Sequence, residues 1–190
     1  MLDSLPILIW MLLNVLFLDI DGVLNPDKAN HQHIFAPSCV RQLRRILDAS
    51  LQTHVVFSTS WRTGFSFFVL GWLWRQHDLS LQRVIGRTPE IENEMRGAEI
   101  QQWLDNAPLR SKEHKVGRYA VLDDEVAPIL ENISAASVFA CDPWHGLTEE
   151  VADRVIRHFA APDCEETTPN NVKTVSNRAK RIPQPIAPIE

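Results

Sequence analysis

The sequence predicts an α/β fold: a doubly wound, mainly parallel sheet of five strands with helices on both of its faces. Short apolar, β-prone runs alternate along the chain with segments in which apolar residues recur at helical spacing. This alternation is typical of a parallel sheet, because the connection between two parallel strands usually passes through a helix. With 190 residues, of which 45% are hydrophobic, the chain is long enough for one domain with a proper core.

The first half of the chain contains three of the predicted strands and two of the helices. A short apolar run ends at Leu18, and a glycine opens the turn that follows it. Val40, Leu43 and Leu47 then recur at helical spacing behind a proline–serine pair, which is typical of a helix start. The segment 67–74 is apolar on almost every side and predicts a buried helix. We therefore place strands at 14–18, 54–58 and 83–86, and helices at 37–50 and 67–74.

The second half supplies the two remaining strands and two further helices. Ile100, Trp103 and Leu104 share one face of a predicted helix. Thr148 is a good N-cap, and two glutamates follow it in the first turn of the last helix. These patterns place helices at 97–104 and 149–160, and strands at 119–122 and 137–141.

The predicted domain covers residues 14–160, and the segments on either side of it differ in composition. Residues 1–13 form an apolar N-terminal extension that is too short to cross a bilayer, so we predict no transmembrane span. Residues 161–190 contain five prolines and scattered charge but few residues to bury, so we expect a disordered tail.

Charge and cysteine usage restrict the partners and the compartment. The net charge of −5 gives no strong signal for nucleic acid or for an anionic membrane. Three widely spaced cysteines suit neither a disulfide framework nor a zinc site. They favour a reducing compartment, and we expect a cytoplasmic protein.

Two carboxylates follow the first strand in the sequence Asp19-Ile20-Asp21-Gly22. Residues two apart in an extended segment point the same way, so both aspartates face the carboxyl edge of the sheet, where open α/β sheets bind ligands. Two such close negative charges are costly unless a cation or a shared proton compensates them. This spacing favours a metal-dependent reaction centre, although a turn with two aspartates in local hydrogen bonds would have the same sequence.

The next strands end in polar residues of complementary chemistry. Ser58, Thr59 and Ser60 follow the second strand, and Asp123 and Asp124 follow the fourth. If these strands are parallel neighbours, all of these side chains meet in one crevice. Hard oxygen ligands favour Mg²⁺, and a carboxylate nucleophile beside a metal and a cation suits phosphoryl transfer.

In their order along the chain, these motifs resemble those of the haloacid dehalogenase superfamily of phosphohydrolases. Residues 19–24 look like its first motif and 55–59 like its second. Arg96 stands where that superfamily has its third-motif cation, and Leu122-Asp123-Asp124 looks like the fourth motif. The resemblance covers about residues 14–160 and implies a Rossmann-like fold and an Mg²⁺-dependent phosphatase.

The resemblance also implies a role for each residue. Asp19 would attack phosphorus and form an aspartyl-phosphate, while Asp21 would act as general acid and then as general base. Thr59 would bind the phosphoryl oxygens, and Arg96 would stabilise the transferring charge. The implied metal ligands are Asp19, Asp21 through its backbone carbonyl, Asp123 and Asp124.

Several assignments have alternatives. Arg62, Lys112 or Lys115 could replace Arg96 as the cation, and Ser58 could replace Thr59 if the strand ended earlier. Ser60, Trp61 and Arg62 follow the second motif closely enough to contact the substrate, and we predict that they do.

The gaps between the motifs limit the substrate. Neither 25–53 nor 61–96 is long enough for the inserted cap domain that closes over small substrates in this superfamily. Capless members often accept phosphates on larger molecules, so a polynucleotide end is an alternative substrate for the phosphatase. A second alternative is a non-catalytic or phosphorylation-switch domain, although the order of the motifs disfavours a receiver-type switch.

Overall fold

The fold is an all-parallel sheet of five strands in the order β3-β2-β1-β4-β5. The structure is a computed structural model, and it describes residues 11–28, 34–92, 95–107 and 114–161. The strands are β1 (Met11–Leu18), β2 (Thr53–Phe57), β3 (Val84–Arg87), β4 (His114–Asp123) and β5 (Val138–Ala140). The helices are α1 (Pro37–Ala49), α2 (Trp61–Gly64), α3 (Phe67–Gln76), α4 (Arg96–Asn106), α5 (Ala127–Leu130) and α6 (Glu149–Ala160).

Successive residues of the central strand β1 face opposite sides of the sheet, as the pleat requires. Leu16 and Leu18 pack in a core cluster that includes residues of α1, α3 and α6. Val15 and Phe17 pack in a second cluster, which includes residues of α4 and α5. Helices therefore cover both faces, and the predicted fold class is confirmed.

Strands β1 and β4 are longer than the sequence predicts. The register pairs Met11 with His114 and continues to Leu18 with Leu122, with one irregularity between Leu13 and Asn14. Residues 11–13, which we assigned to the N-terminal extension, therefore belong to β1. Residues 1–10 of that extension and 162–190 of the predicted tail lie outside the described residues.

Helix α3 corrects the prediction of a helix buried on all sides. Leu70 and Trp74 are buried against the sheet, but Phe68 is 77% exposed and Trp72 is 52% exposed. The composition predicted an apolar helix. The structure shows that only one face of this helix packs against the rest of the protein.

The described parts of the connections between the strands hold helices but no inserted domain. Within the described residues, α1 is the helix between β1 and β2, and no inserted cap domain follows β1 or β2. The loops at the carboxyl ends of the strands are thus left uncovered by a second domain in this part of the chain. None of the described helices is long and apolar enough to cross a membrane.

Candidate active site

Three neighbouring strands deliver polar side chains to one edge of the sheet. β1 lies between β2 and β4, and the ladder continues just beyond it, where Ser58 N donates to Leu18 O (2.9 Å) and Asp19 N donates to Leu122 O (3.0 Å). Asp19, Thr59 and Asp123 follow or end these strands, and all three are buried. The structure therefore brings together residues that lie more than a hundred positions apart in the sequence.

Three carboxylates form an acidic cluster at this edge. One ligand oxygen from each of Asp19, Asp123 and Asp124 lies within 4.8 Å of the others. The backbone of Gly22 makes the approach of Asp124 possible, because a Cβ at this position would overlap the Asp124 carboxylate. Gly22 also has a φ of 65°, which favours glycine. The glycine after the Asp-x-Asp motif is therefore required by both its dihedral angle and the cluster.

Arg96 joins two of these carboxylates from the start of α4. Its Nη1 atom donates to Asp19 Oδ2 at 2.5 Å and also to Asp123 Oδ2. Burial alone would lower the pKa of Arg96, but the two carboxylates outweigh it and raise that pKa above its ordinary value. Burial raises the pKa of Asp123 to about 7, with Arg96 opposing the increase and Asp19 adding to it. A divalent cation beside these groups would favour their ionised forms.

The structure does not place the described alternative Lys115 at the acidic cluster. Lys115 pairs with Leu12 at the amino end of β4, at the opposite edge of the sheet from the acidic cluster. Lys112 is outside the described residues. Among the cations proposed from the sequence, Arg96 is the one that the described structure places on Asp19.

Asp21 is exposed, whereas Asp19 is 4% exposed. Asn25 Nδ2 donates to Asp21 Oδ1 at 3.0 Å, and Trp61 Nε1 donates to Asp21 Oδ2 at 2.6 Å. These two hydrogen bonds hold the exposed Asp21 side chain in place. The sequence indicated Trp61 as a substrate contact but gave no sign of this bond to Asp21.

The hydroxyl groups after β2 differ in their surroundings. Thr59 Oγ1 accepts a hydrogen bond from Trp61 N at 3.3 Å, and the hydroxyl can still donate its own proton to another acceptor. Ser58 is also fully buried, and its Oγ has no hydrogen-bond partner in the described structure. Ser60 is exposed at the start of α2.

Arg62, which we predicted to contact the substrate, has its guanidinium in an ion pair within the protein. Its side chain is only 7% exposed, and it forms an ion pair with Glu99 of α4. Its Nη1 also donates to Thr59 O at 2.7 Å. Arg62 therefore ties the loop after β2 to the helix that carries Arg96. Glu99 gave no signal in the sequence, because an acidic residue in the first turn of a helix is usually exposed there.

The parallel five-stranded sheet, with an Asp-x-Asp turn after its central strand and a second acidic pair after β4, defines a member of the haloacid dehalogenase (HAD) superfamily. The family model described as "HAD domain in Swiss Army Knife RNA repair proteins" matches residues 15–152. The chain belongs to this family. No curated protein and no solved structure matches the sequence significantly.

Proposed function

We propose that the protein is an Mg²⁺-dependent phosphatase that hydrolyses phosphoric monoesters through an aspartyl-phosphate on Asp19. The observation that carries this proposal is the arrangement of Asp19, Arg96 and the acidic pair at the carboxyl end of the central strand. Membership of the HAD superfamily supports the reaction class.

In the first half of the proposed reaction, a carboxylate oxygen of Asp19 attacks phosphorus and the bond to the ester oxygen breaks. Asp21 gives its proton to the departing alkoxide, which leaves as an alcohol. In the second half, Asp21 removes a proton from a water molecule, and that water attacks the phosphoryl group on Asp19. Inorganic phosphate leaves, and both side chains return to their starting states.

Arg96 and Thr59 stabilise charge during both halves of this reaction. The Arg96 guanidinium lies against Asp19, where the transferring group would arrive. A positioned cation is a large contribution to phosphoryl transfer, which relies mostly on alignment and electrostatics. The Thr59 hydroxyl donates to a phosphoryl oxygen.

The acidic cluster fits Mg²⁺. Asp19, Asp123 and Asp124 offer oxygen ligands on adjacent strand ends, and Mg²⁺ binds one or two carboxylates together with a substrate phosphate. When bound, the ion would neutralise phosphoryl oxygens and allow the anionic nucleophile to approach them. The three aspartates, with the backbone carbonyl of Asp21, would hold it.

Phosphate release tests this proposal. The wild type, Asp19→Asn and the exposed-site control Asp105→Asn are assayed with Mg²⁺ and with EDTA on nucleotides, sugar phosphates, phosphopeptides and phosphorylated oligonucleotides. We expect release that requires Mg²⁺, is retained by Asp105→Asn and falls at least about 1,000-fold in Asp19→Asn, as for the removal of other catalytic nucleophiles. Mg²⁺ binding without turnover on any substrate would contradict the proposal and favour a binding or switch domain.

We further propose a polynucleotide end as the substrate class. The matched family is described as a domain of RNA repair proteins, and the described residues contain no cap domain over the site. The net charge of −5 opposes this assignment and calls for a local surface that accepts a polyanion. A higher kcat/KM for terminal phosphates of oligonucleotides than for mononucleotides would support it, and the reverse order would contradict it.

A further inference from the structure

We propose that α3 and the turn before it form a stacking surface for a single-stranded polynucleotide whose terminal phosphate enters the crevice. This aromatic strip consists of Phe65, Phe68 and Trp72, with Arg75 at its far end. The inference rests on the proposed polynucleotide substrate and names the residues that would bind the chain beyond the phosphate.

The strip presents aromatic side chains to solvent. Phe65 is 44% exposed, Phe68 77% and Trp72 52%. In a helix, Phe68, Trp72 and Arg75 fall on one face because they are three or four residues apart, and Phe68 and Trp72 are separated by about 6 Å along the axis. Large exposed apolar patches on a folded domain usually mark a binding site.

Phe65, the near end of the strip, adjoins the candidate active site. Trp61 connects the two, because its indole Nε1 donates to Asp21 while its ring lies 5.5 Å from that of Phe65. A polynucleotide whose end is held at Asp19 would therefore leave the crevice over Trp61 and meet the strip next. Aromatic side chains that follow one another from a phosphate site suit bases that are unstacked from a single strand.

The charge of this segment suits a polyanion, although that of the whole chain does not. No Asp or Glu lies between Asp48 and Asp78, in a chain with 24 acidic residues. Arg75 is exposed on the same face as Trp72. A segment with exposed aromatic groups, an arginine and no carboxylate of its own combines stacking with backbone attraction, as non-specific single-strand binding requires.

Binding of an eight-nucleotide single-stranded RNA with hydroxyl ends tests the strip without any chemistry. Fluorescence anisotropy of a labelled strand gives the Kd for the wild type, for Phe68→Ala/Trp72→Ala and for the control Leu51→Ala. Leu51 is 84% exposed and precedes β2, at the opposite edge of the sheet. Loss of stacking weakens binding by about 5- to 150-fold per base, so we expect the double variant to lose at least about tenfold and the control to match the wild type.

Arg75→Gln provides an independent measurement. One lost phosphate contact reduces the slope of log Kd against log salt by about 0.7 for a single strand. Circular dichroism and the thermal midpoint show whether each variant is folded. Because both aromatic side chains are exposed, their truncation leaves no buried cavity.

The outcomes separate this inference from the proposed function. The proposed role of the strip is contradicted if the double variant binds RNA as the wild type does, or if the wild type binds no RNA. Either result counts against the strip even if the protein releases phosphate from glycerol phosphate. RNA binding that depends on the strip, without phosphate release from any substrate, supports the strip and contradicts the phosphatase. If both hold, we expect the ratio of kcat/KM for a phosphorylated oligonucleotide to that for glycerol phosphate to fall at least about tenfold in the double variant.

Discussion

Arg96 contacts Asp19 and Asp123 through the same nitrogen, Nη1. The guanidinium fork, which distinguishes arginine from lysine at bidentate sites, is therefore not used between these two carboxylates. A lysine ammonium is a compact donor with three protons and can serve the same point contact.

We therefore predict that Arg96→Lys retains phosphatase activity within about tenfold, whereas Arg96→Met loses at least about 100-fold in kcat, as for other lost transition-state donors. Initial rates of phosphate release measure this, with Arg157→Lys on the exposed face of α6 as the matched control. An Arg96→Lys protein as inactive as Arg96→Met would show that the planar fork is needed after all.

Gly22 couples a backbone conformation to the acidic cluster. Its φ of 65° and its closeness to the Asp124 carboxylate leave no room for a side chain. A substitution there acts on the metal site and on the fold at once, and the two effects can be measured separately.

For Gly22→Ala we expect an unfolding free energy lower by about 1–2 kcal/mol, the usual cost of a left-handed L-residue. Because Asp124 must also move, the Mg²⁺ concentration for half-maximal activity should rise by about 10- to 100-fold, as for other disturbed ligand supports. Gly64→Ala is the matched control, since a Cβ there meets nothing within 4 Å. Equal Mg²⁺ dependence in the two variants would contradict the role assigned to Gly22.

The elements themselves were largely predictable from apolar pattern, but their ends were not. The five strands and the helices α1, α4 and α6 follow from local periodicity and capping signals. Thr148, for example, caps α6, because its Oγ1 accepts a hydrogen bond from Val151 N. The start of β4 could not be predicted, because the polar residues 114–118 become a strand only through pairing with β1.

The direction of individual side chains is the part of the site that could not be predicted from the sequence. Asp19, Arg96 and Asp123 meet as their motifs indicate, since strand ends fix them within a narrow space. Arg62 follows the second motif closely, yet its side chain turns inward to Glu99, a residue 37 positions away. Sequence proximity to a motif does not determine which way a side chain on a short helix points.

The ion pair between Arg62 and Glu99 holds the loop after β2 against α4. Each side chain is 7% exposed, so removal of one partner leaves a buried charge without its counter-ion. We predict that Glu99→Leu lowers the free energy of unfolding by about 3–5 kcal/mol, and that the double variant Arg62→Met/Glu99→Leu loses less than Glu99→Leu does.

Urea unfolding of Glu99→Leu, Arg62→Met and the double variant measures this coupling. The exposed pair between Arg45 and Asp153, each 38% exposed, is the matched control, and Arg45→Met should cost less than about 1 kcal/mol. A cost of that small size for Glu99→Leu would show that the Arg62–Glu99 pair does not join the two elements.

The topology of the sheet places the candidate active site where the strand order reverses. From β1 the chain proceeds outward to β2 and β3 on one side, then returns to β4 and β5 on the other. The crevice at this switch point receives side chains from both halves of the sheet. Asp19 comes from the centre, Thr59 from one side and Asp123 from the other, so the site exists only when β1, β2 and β4 have paired.

This dependence predicts that Mg²⁺ stabilises the fold as a whole. A ligand that binds only the native state at ten times its Kd raises the free energy of unfolding by about 1.4 kcal/mol. For a domain of this size, that corresponds to a rise in Tm of about 3–6 °C. Thermal unfolding monitored by circular dichroism, with Mg²⁺ and with EDTA, measures the shift.

The variants decide whether this stabilisation comes from the acidic cluster. Asp124→Asn removes a proposed ligand, and we expect a smaller shift in Tm at the same Mg²⁺ concentration, because a neutral amide binds Mg²⁺ more weakly than a carboxylate does. Asp105→Asn removes one negative charge from the exposed face of α4 and should keep the shift of the wild type. Equal shifts in both variants would mean that Mg²⁺ only screens the net charge, and the acidic cluster would then not be a metal site.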